Sequence, residues 1–388
     1  MVGGGISGLV CAHALQKTGV EVLLAEASAR PGGVIHSVRR DGYLLEHGPQ
    51  SFSGTSQLRS LCTDLGIVDQ LLEAPPRAPR YVLVNGELQA VPMSPPAFFT
   101  SSLLNGSTKW ALLRDIFGNS TPPEGDESVA AFVRRKFSDQ LLERLAGPFV
   151  SGVYAGDPEK LSIRSTFPQL HEAEKAAGSV VRGMMRLAKN KKGPRERATL
   201  NTFRGGNETL VQTLASRLGS KVLTKTAAVN IFRQTAFEAL LTTVEYAAVA
   251  VVSLGYAKRD VGHSLDGFGF LVPRTSGLRI LGSVWNSSLF PGRAPEGHAL
   301  LTTFIGGATD PSATKLSSEE LSNIVHGEIA RLLAIKKTPV FCNVTIWPRA
   351  LPQYNLGHSE RLALIHKSLA RFPGLFLTGN YLRGPAIG

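Results

Sequence analysis

Apolar residues recur along this 388-residue chain in two registers, and the switches between them outline its elements. Helical spacing runs from Leu9 to Lys17, and the apolar-rich Val20–Ala25 that follows predicts a strand ending at Glu26. Tyr43 to Phe52 reads as a short strand broken at Gly48-Pro49. Leu58, Leu61, Leu65 and Leu71 predict one helix over Ser56 to Leu72, before Pro75-Pro76. Arg80 to Val91 carries a hairpin signal, with Asn85-Gly86 as a primed turn. Helical stretches dominate from Met93 to about Arg197, then a helix is expected at Glu208–Leu218 and a strand at Val222–Thr224. Val229–Arg233 runs irregularly into a helical pattern at Phe237–Leu241. After Tyr246, closely spaced strands at Ala247–Leu254, Gly267–Pro273, Ile280–Trp285 and Ala299–Ile305 predict a largely antiparallel sheet. A helix at Ser317–Leu333, a strand at Val340–Trp347 and a last strand at Leu375–Thr378, ending at Gly379-Asn380, complete the pattern.

The first helix is preceded by Gly3-x-Gly5-x-x-Gly8. Gly3 suits a tight turn, Gly5 a close approach of backbone to a pyrophosphate, and Gly8 close packing of helix on strand. Glu26, eighteen positions after Gly8, stands where an acid meets a ribose hydroxyl in dinucleotide folds. Arg30-Pro31-Gly32-Gly33 then supplies a second glycine turn that lets the chain pass close to the same ligand. Only Met1 and Val2 precede Gly3, so the first strand is short.

Composition narrows the class. Hydrophobic residues make up 43% and charged residues 19%, which suits a globular chain of two or three domains. No apolar run is long enough to span a membrane, and no secretory leader is expected. Cys11, Cys62 and Cys342 fit reduced thiols of a cytoplasmic protein, and neither they nor the nine histidines show metal spacing. The net charge of +12 implies an anionic partner: nucleic acid, acidic lipid or a polycarboxylate. No nucleic-acid motif is present, so nucleic acid is excluded as the expected partner. Phe98, Phe99 and Trp110 beside Lys109 and Arg114, and Val180–Ala188 leading into Lys189, Lys191, Lys192, Arg195 and Arg197, predict a peripheral membrane contact.

Further motifs identify a resemblance. Glu46-x-Gly48-Pro49, Gly152-Val153-Tyr154-Ala155-Gly156-Asp157, Leu161-Ser162-Ile163-Arg164, Gly267–Pro273, Pro352–His358 and Gly379-Asn380-Tyr381 together resemble the flavin-dependent protoporphyrinogen oxidases, within the wider amine oxidase and phytoene desaturase group. The resemblance implies an α/β (α+β multidomain) protein: a Rossmann-like FAD-binding domain, a β-rich substrate domain and a helical membrane-binding insertion. The FAD domain would comprise 1–79, 200–234 and 359–388, the substrate domain 80–92 and 235–358, and the insertion 93–199. The implied activity is oxidation of a porphyrinogen by bound FAD with O2 as final acceptor, in heme biosynthesis. Homodimerisation and channelling to the next heme-pathway enzyme also belong to what the resemblance allows.

Residue by residue, the resemblance assigns Gly3, Gly5, Ile6, Ser7, Gly8, Glu26, Ala27, Gly32, Gly33, Gly48, Pro49, Gln50, Ala228, Trp347, Tyr354, Gly379, Asn380, Gly384, Ala386 and Ile387 to the cofactor. It assigns Arg80 to a substrate propionate, although spacing alone makes it a solvated strand-start residue, and Gly152, Val153, Phe268, Gly269, Leu271 and Phe304 to the macrocycle. No side chain is required as a dedicated base, because the flavin carries the chemistry. His47 reads equally as a structural residue or a neighbour of the flavin. Three departures, the short first strand, a shorter segment near Gln234-Thr235 and the stop at Gly388, all fall on the FAD domain. The alternatives are coproporphyrinogen III oxidation by the same fold, amine or carotenoid oxidation, and a degenerate, non-catalytic porphyrin- or membrane-binding flavoprotein.

Overall fold

The computed structural model describes residues 1–190, 199–228 and 241–384. Its largest element is a seven-stranded sheet in the order Phe341–Pro352, Tyr246–Ala257, His298–Gly306, Ile280–Trp285, Gly269–Leu271, Arg80–Val84 and Glu87–Ala90. Every pairing in it is antiparallel except Gly269–Leu271 with Arg80–Val84. Alternation gives the sheet two buried faces. One packs Leu83, Val252, Leu254, Phe270, Leu301 and Ile305 against the helix Ser318–Leu333. That helix starts on a complete capping box between Ser317 and Glu320. The other face carries Val82 and Val84 against Leu103 and Leu104, and Val249 and Phe304 against Ala155.

A second core surrounds the glycine-loop helix, Ile6–Lys17, which packs with Glu208–Leu218 and Ser56–Leu65 through Leu9, Ala12, Leu210, Val211, Leu214 and Cys62. The helix begins three residues before the expected Leu9, because Gly5 is extended and serves as its N-cap. A parallel pair, Leu24–Ala25 with Val222–Leu223, and one bridge from Val2 to Ala25 lie beside it. Here the expected strand Val20–Ala25 shrinks to two residues and Leu23 is 56% exposed. Both parallel neighbours are too short to pair with the rest. Leu375–Thr378 likewise forms no strand, and Phe376 is 86% exposed, since no described parallel edge extends far enough to receive it.

The helix expected over Ser56–Leu72 stops at Leu65, where Gly66 adopts φ 73° and closes it in the left-handed region. Leu71–Glu73 is instead a strand paired with Leu200–Phe203. The expected strand Gly267–Pro273 is confined to Gly269–Leu271, because Gly267 and Gly269 take positive φ at its start. The irregular 229–233 stretch, 237–240, the shortened segment at 234/235 and the basic residues Lys191, Lys192, Arg195 and Arg197 lie outside the described residues.

Between the hairpin and Asn190 the elements are helices, and serine or asparagine caps start Pro95–Thr100, Gly106–Phe117 and Val129–Lys136. Pro168–Ala177 and Val180–Asn190 approach closely at Gly183, where a Cβ would lie 2.2 Å from the Ala173 carbonyl oxygen. Beneath them Glu174, fully buried, receives Arg135 Nη1 at 2.7 Å and Ser120 Oγ at 2.8 Å, with Lys136 Nζ at 3.4 Å. Burial alone would raise its pKa, but these hydrogen bonds and charges hold it at about 2. Lys136 also meets Asp115 at 2.6 Å, and Asp115 Oδ2 accepts from Ser179 Oγ and Val181 N, both at 2.9 Å. The buried charges therefore fix the start of Val180–Asn190. Among the described residues no helix is long and apolar enough to cross a membrane.

Candidate active site

The glycine loop is built as its spacing predicts. At Gly8 a Cβ would fall 2.0 Å from the Gly3 carbonyl oxygen, so only glycine permits the helix to seat on the loop. At Gly3 and Gly5 a Cβ would meet nothing within 4 Å, which leaves their outer surfaces open. The helix Ile6–Lys17, which includes Ser7, has no side-chain cap and no acid in its first turn. Its first N–H groups and positive dipole end are therefore free for an anion. Gly32 N–H donates to the Gly4 carbonyl at 2.7 Å, and a Cβ on Gly33 would lie 3.5 Å from Gly5 Cα. The two glycine turns thus face each other across a cradle that side chains would fill. Arg30 braces the second turn through Nη2 to the Gly33 carbonyl at 2.8 Å.

Glu26 closes one side. Its Oε2 accepts from Gly4 N–H at 2.7 Å, and its Oε1 from Ser28 N–H at 2.8 Å and Ser28 Oγ at 2.5 Å. Burial opposes ionisation, but the Ser28 and Gly4 hydrogen bonds and Arg30 outweigh it and lower the pKa, so the carboxylate stays charged. One acceptor direction remains on Oε2 for a ribose hydroxyl. An open glycine cradle, an uncapped helix start and a charged acid fit a dinucleotide such as FAD. Ala27 and Ala228 are exposed nearby in sequence to Glu26 and Thr226, whose N–H donates to the Glu26 carbonyl at 2.8 Å.

The loop 46–50 is held at successive carbonyls. Gln50 Nε2 donates to those of Glu46 and Gly48, both at 2.9 Å, Trp347 Nε1 to that of His47 at 2.6 Å, and Asn207 Nδ2 to that of Pro49 at 2.7 Å. The Gln50 side chain is thus spent within the protein. Desolvation first, then the neighbouring His36 and Arg30, lower the His47 pKa, so its imidazole is neutral near pH 7. Tyr354, 2% exposed, donates its hydroxyl to the Asn380 carbonyl at 2.5 Å, just after Gly379 at φ 148°. Gly384 takes φ 145°, while Ala386 and Ile387 lie outside the described residues.

The substrate candidates gather through strand register. Arg80 lies opposite Gly269, and Leu271 opposite Gly282, which in turn lies opposite Phe304. Directly opposed residues, and those two apart, share a face. Arg80, Leu271 and Phe304 therefore look out from one side of the sheet, and Trp347, paired with Val249, joins them on it. Gly152 presses on this row: a Cβ there would sit 2.2 Å from Leu271 Cδ2. Val153 beside it is 42% exposed. Arg80 is exposed, and its guanidinium stacks over the Phe268 ring at 5.6 Å. The motif reading missed Gly282, which lies between Leu271 and Phe304 in the register and on which the Leu271 side chain packs, and it missed Ser28, Asn207, Asn286 and Arg293. Gly282 becomes visible only through register, and Arg293 carries no local signal beyond a cation in a proline-rich loop.

Comparison with known proteins agrees with this geometry. The sequence profile of flavin containing amine oxidoreductases matches residues 6–245 and 230–386. The chain is 36% identical over 456 residues to the chloroplastic protoporphyrinogen oxidase of Oryza sativa subsp. japonica, covering 100% of this chain and 85% of that protein. It is 30% identical over 442 residues to the coproporphyrinogen III oxidase of Bacillus subtilis, covering 100% and 94%. Both aligned lengths exceed 388, so these relatives carry segments that this chain lacks. A crystal structure from Exiguobacterium sp. 255-15, provisionally named a protoporphyrinogen oxidase, superposes with a TM-score of 0.81 at 24% identity, over 99% of this chain and 93% of that one, which establishes the fold. The chain belongs to the family of flavin-containing amine oxidoreductases, and FAD is its cofactor.

Proposed function

We propose that the protein oxidises protoporphyrinogen IX to protoporphyrin IX, with O2 as acceptor and H2O2 as product. The observation that carries this reading is the single sheet face shared by Arg80, Leu271 and Phe304, with Trp347 on the same face bonded to the candidate cofactor loop. Bound FAD supplies the hydride acceptor for three successive two-electron steps, each matched by reduction of one O2 to one H2O2. The chain's own part is to orient and to exclude water. Arg80 offers a permanently charged fork to a propionate, and Leu271, Phe304 and Phe268 supply apolar contact for a flat macrocycle.

The test is anaerobic mixing of the FAD-loaded chain with protoporphyrinogen IX, followed by air. Bleaching of the flavin, its return with oxygen, and porphyrin and peroxide in a ratio of one to three are expected. A flavin that stays oxidised with protoporphyrinogen refutes the reading, and bleaching by coproporphyrinogen III alone assigns the enzyme to the other branch.

The helical stretch supports a peripheral membrane contact. Trp110 and Phe117 are 67% and 84% exposed, with Arg114 between them on the same face of Gly106–Phe117, while Ala111 and Asp115 face inward. Met185 and Leu187 are exposed on the adjacent Val180–Asn190, beside Arg186 and Lys189. Apolar side chains interleaved with cations suit insertion between anionic headgroups. Trp110→Asp with Phe117→Asp is expected to weaken co-flotation with anionic vesicles at least about a hundredfold, since each buried aromatic contributes about 1.5–3 kcal/mol. Equal flotation of parent and variant counts against the assignment.

A further inference from the structure

A buried polar joint ties the loop 46–50 to the large sheet, and the reaction as described makes no use of it. Arg293 lies in the connection that follows Ile280–Trp285 and is 1% exposed. Its Nη1 donates to Glu46 Oε1 at 2.7 Å, its Nη2 donates to Thr202 Oγ1, and its carbonyl accepts Leu44 N–H at 3.1 Å. Glu46, 2% exposed, also accepts Ser37 Oγ at 2.6 Å and Asn207 N–H at 2.9 Å. From the same connection Asn286 Nδ2 donates to Gln50 Oε1 at 2.8 Å, and Gln50 in turn holds the Glu46 and Gly48 carbonyls. Arg293 and Asn286 thus grip the first and last residues of the loop.

A charge pair this deeply buried is a poor source of stability, because apolar side chains of equal volume do as well. Its distinguishing property is direction, since guanidinium and amide groups fix angle as well as distance. Burial pushes the Glu46 carboxyl upward against the pull of Arg293 and Ser37.

We propose that Arg293, with Asn286, is a positioning residue that holds loop 46–50, and the cofactor beside it, in one register against the sheet face of Arg80, Leu271 and Phe304. The inference rests on the proposed function for the ligand on that face. Hydride transfer tolerates little misplacement, and an error of about 1 Å costs about a hundredfold in rate.

The experiment compares the FAD-loaded parent with Arg293→Met, with Glu46→Gln/Arg293→Met, which leaves no orphan charge, and with Asn286→Ala as a milder cut. Two quantities are read: amide hydrogen exchange across the protein, and anaerobic flavin reduction by protoporphyrinogen IX and, separately, by dithionite. Exchange in 44–53 is expected to rise at least tenfold while Ser318–Leu333 is unchanged. Reduction by the porphyrinogen should slow about a hundredfold with dithionite reduction unaltered, and Arg293→Lys should recover part of the loss. Unchanged exchange at 44–53 overturns the proposal, and so does a rise shared by the whole chain with both reductants slowed alike. A parent that no porphyrinogen reduces removes the proposed substrate, and exchange alone then decides the joint.

Discussion

Gly5→Ala leaves the melting temperature of the flavin-free protein where it was and weakens FAD binding by about ten- to a hundredfold. The backbone at Gly5 is at φ −67° and ψ 173°, which alanine adopts without strain, and the added Cβ meets nothing within 4 Å. Any loss therefore arises from a ligand that needs the space, and overpacking by one methyl costs about 1–3 kcal/mol. Gly8→Ala separates the two causes, because its Cβ would strike the Gly3 carbonyl at 2.0 Å and destabilise the flavin-free protein as well. Flavin titration and thermal melting of both variants, with Gly327→Ala as a control in open space, distinguish them. FAD binding by Gly5→Ala equal to that of the parent would remove the glycine cradle from the cofactor site.

Arg80→Ala raises KM for the porphyrinogen by about ten- to a hundredfold and leaves flavin content unchanged. A charge-assisted hydrogen bond to a carboxylate contributes about 1.5–3 kcal/mol, and among the described residues Arg80 forms no ion pair. Its exposed guanidinium lies over Phe268, so truncation costs the fold little. Arg80→Lys keeps the charge and loses the fork, and an intermediate KM is expected. Steady-state kinetics decide the matter: a fall in kcat at constant KM would mean that Arg80 serves something other than binding.

Much of this site is written in local signals. The Gly3-x-Gly5-x-x-Gly8 spacing, the Asn85-Gly86 turn, whose two residues take φ 53° and 84°, and the helix at Glu208–Leu218 depend on a few adjacent residues. What escaped the sequence depends on distant partners. Leu71 has helical spacing from Leu65, yet it pairs with Phe203, and the stop at Gly66 overrides the spacing. Leu375–Thr378 has a strand's composition, but composition cannot supply an edge to pair with. Arg293 reaches Glu46 across most of the chain, and the Gln50 carboxamide oxygen accepts from Asn286, equally far along it. The shared face of Arg80 and Phe304 follows from register across four strands, which no single stretch encodes.

The hairpin Arg80–Ala90 is joined to the sheet by one parallel pairing, Arg80–Val84 with Gly269–Leu271. At roughly 5–20 residues per second, a ribosome makes Gly269 some 10–40 s after Arg80. Throughout that interval Tyr81 and Leu83, which end up in the main core, have only their own hairpin to cover them. The helices of 95–190 emerge during the wait and can bury Val82 and Val84 through Leu103 and Leu104 on the opposite side. The order of synthesis therefore lets the helical stretch cover one side of the hairpin first, and Arg80 is made well before the strand that completes its surroundings.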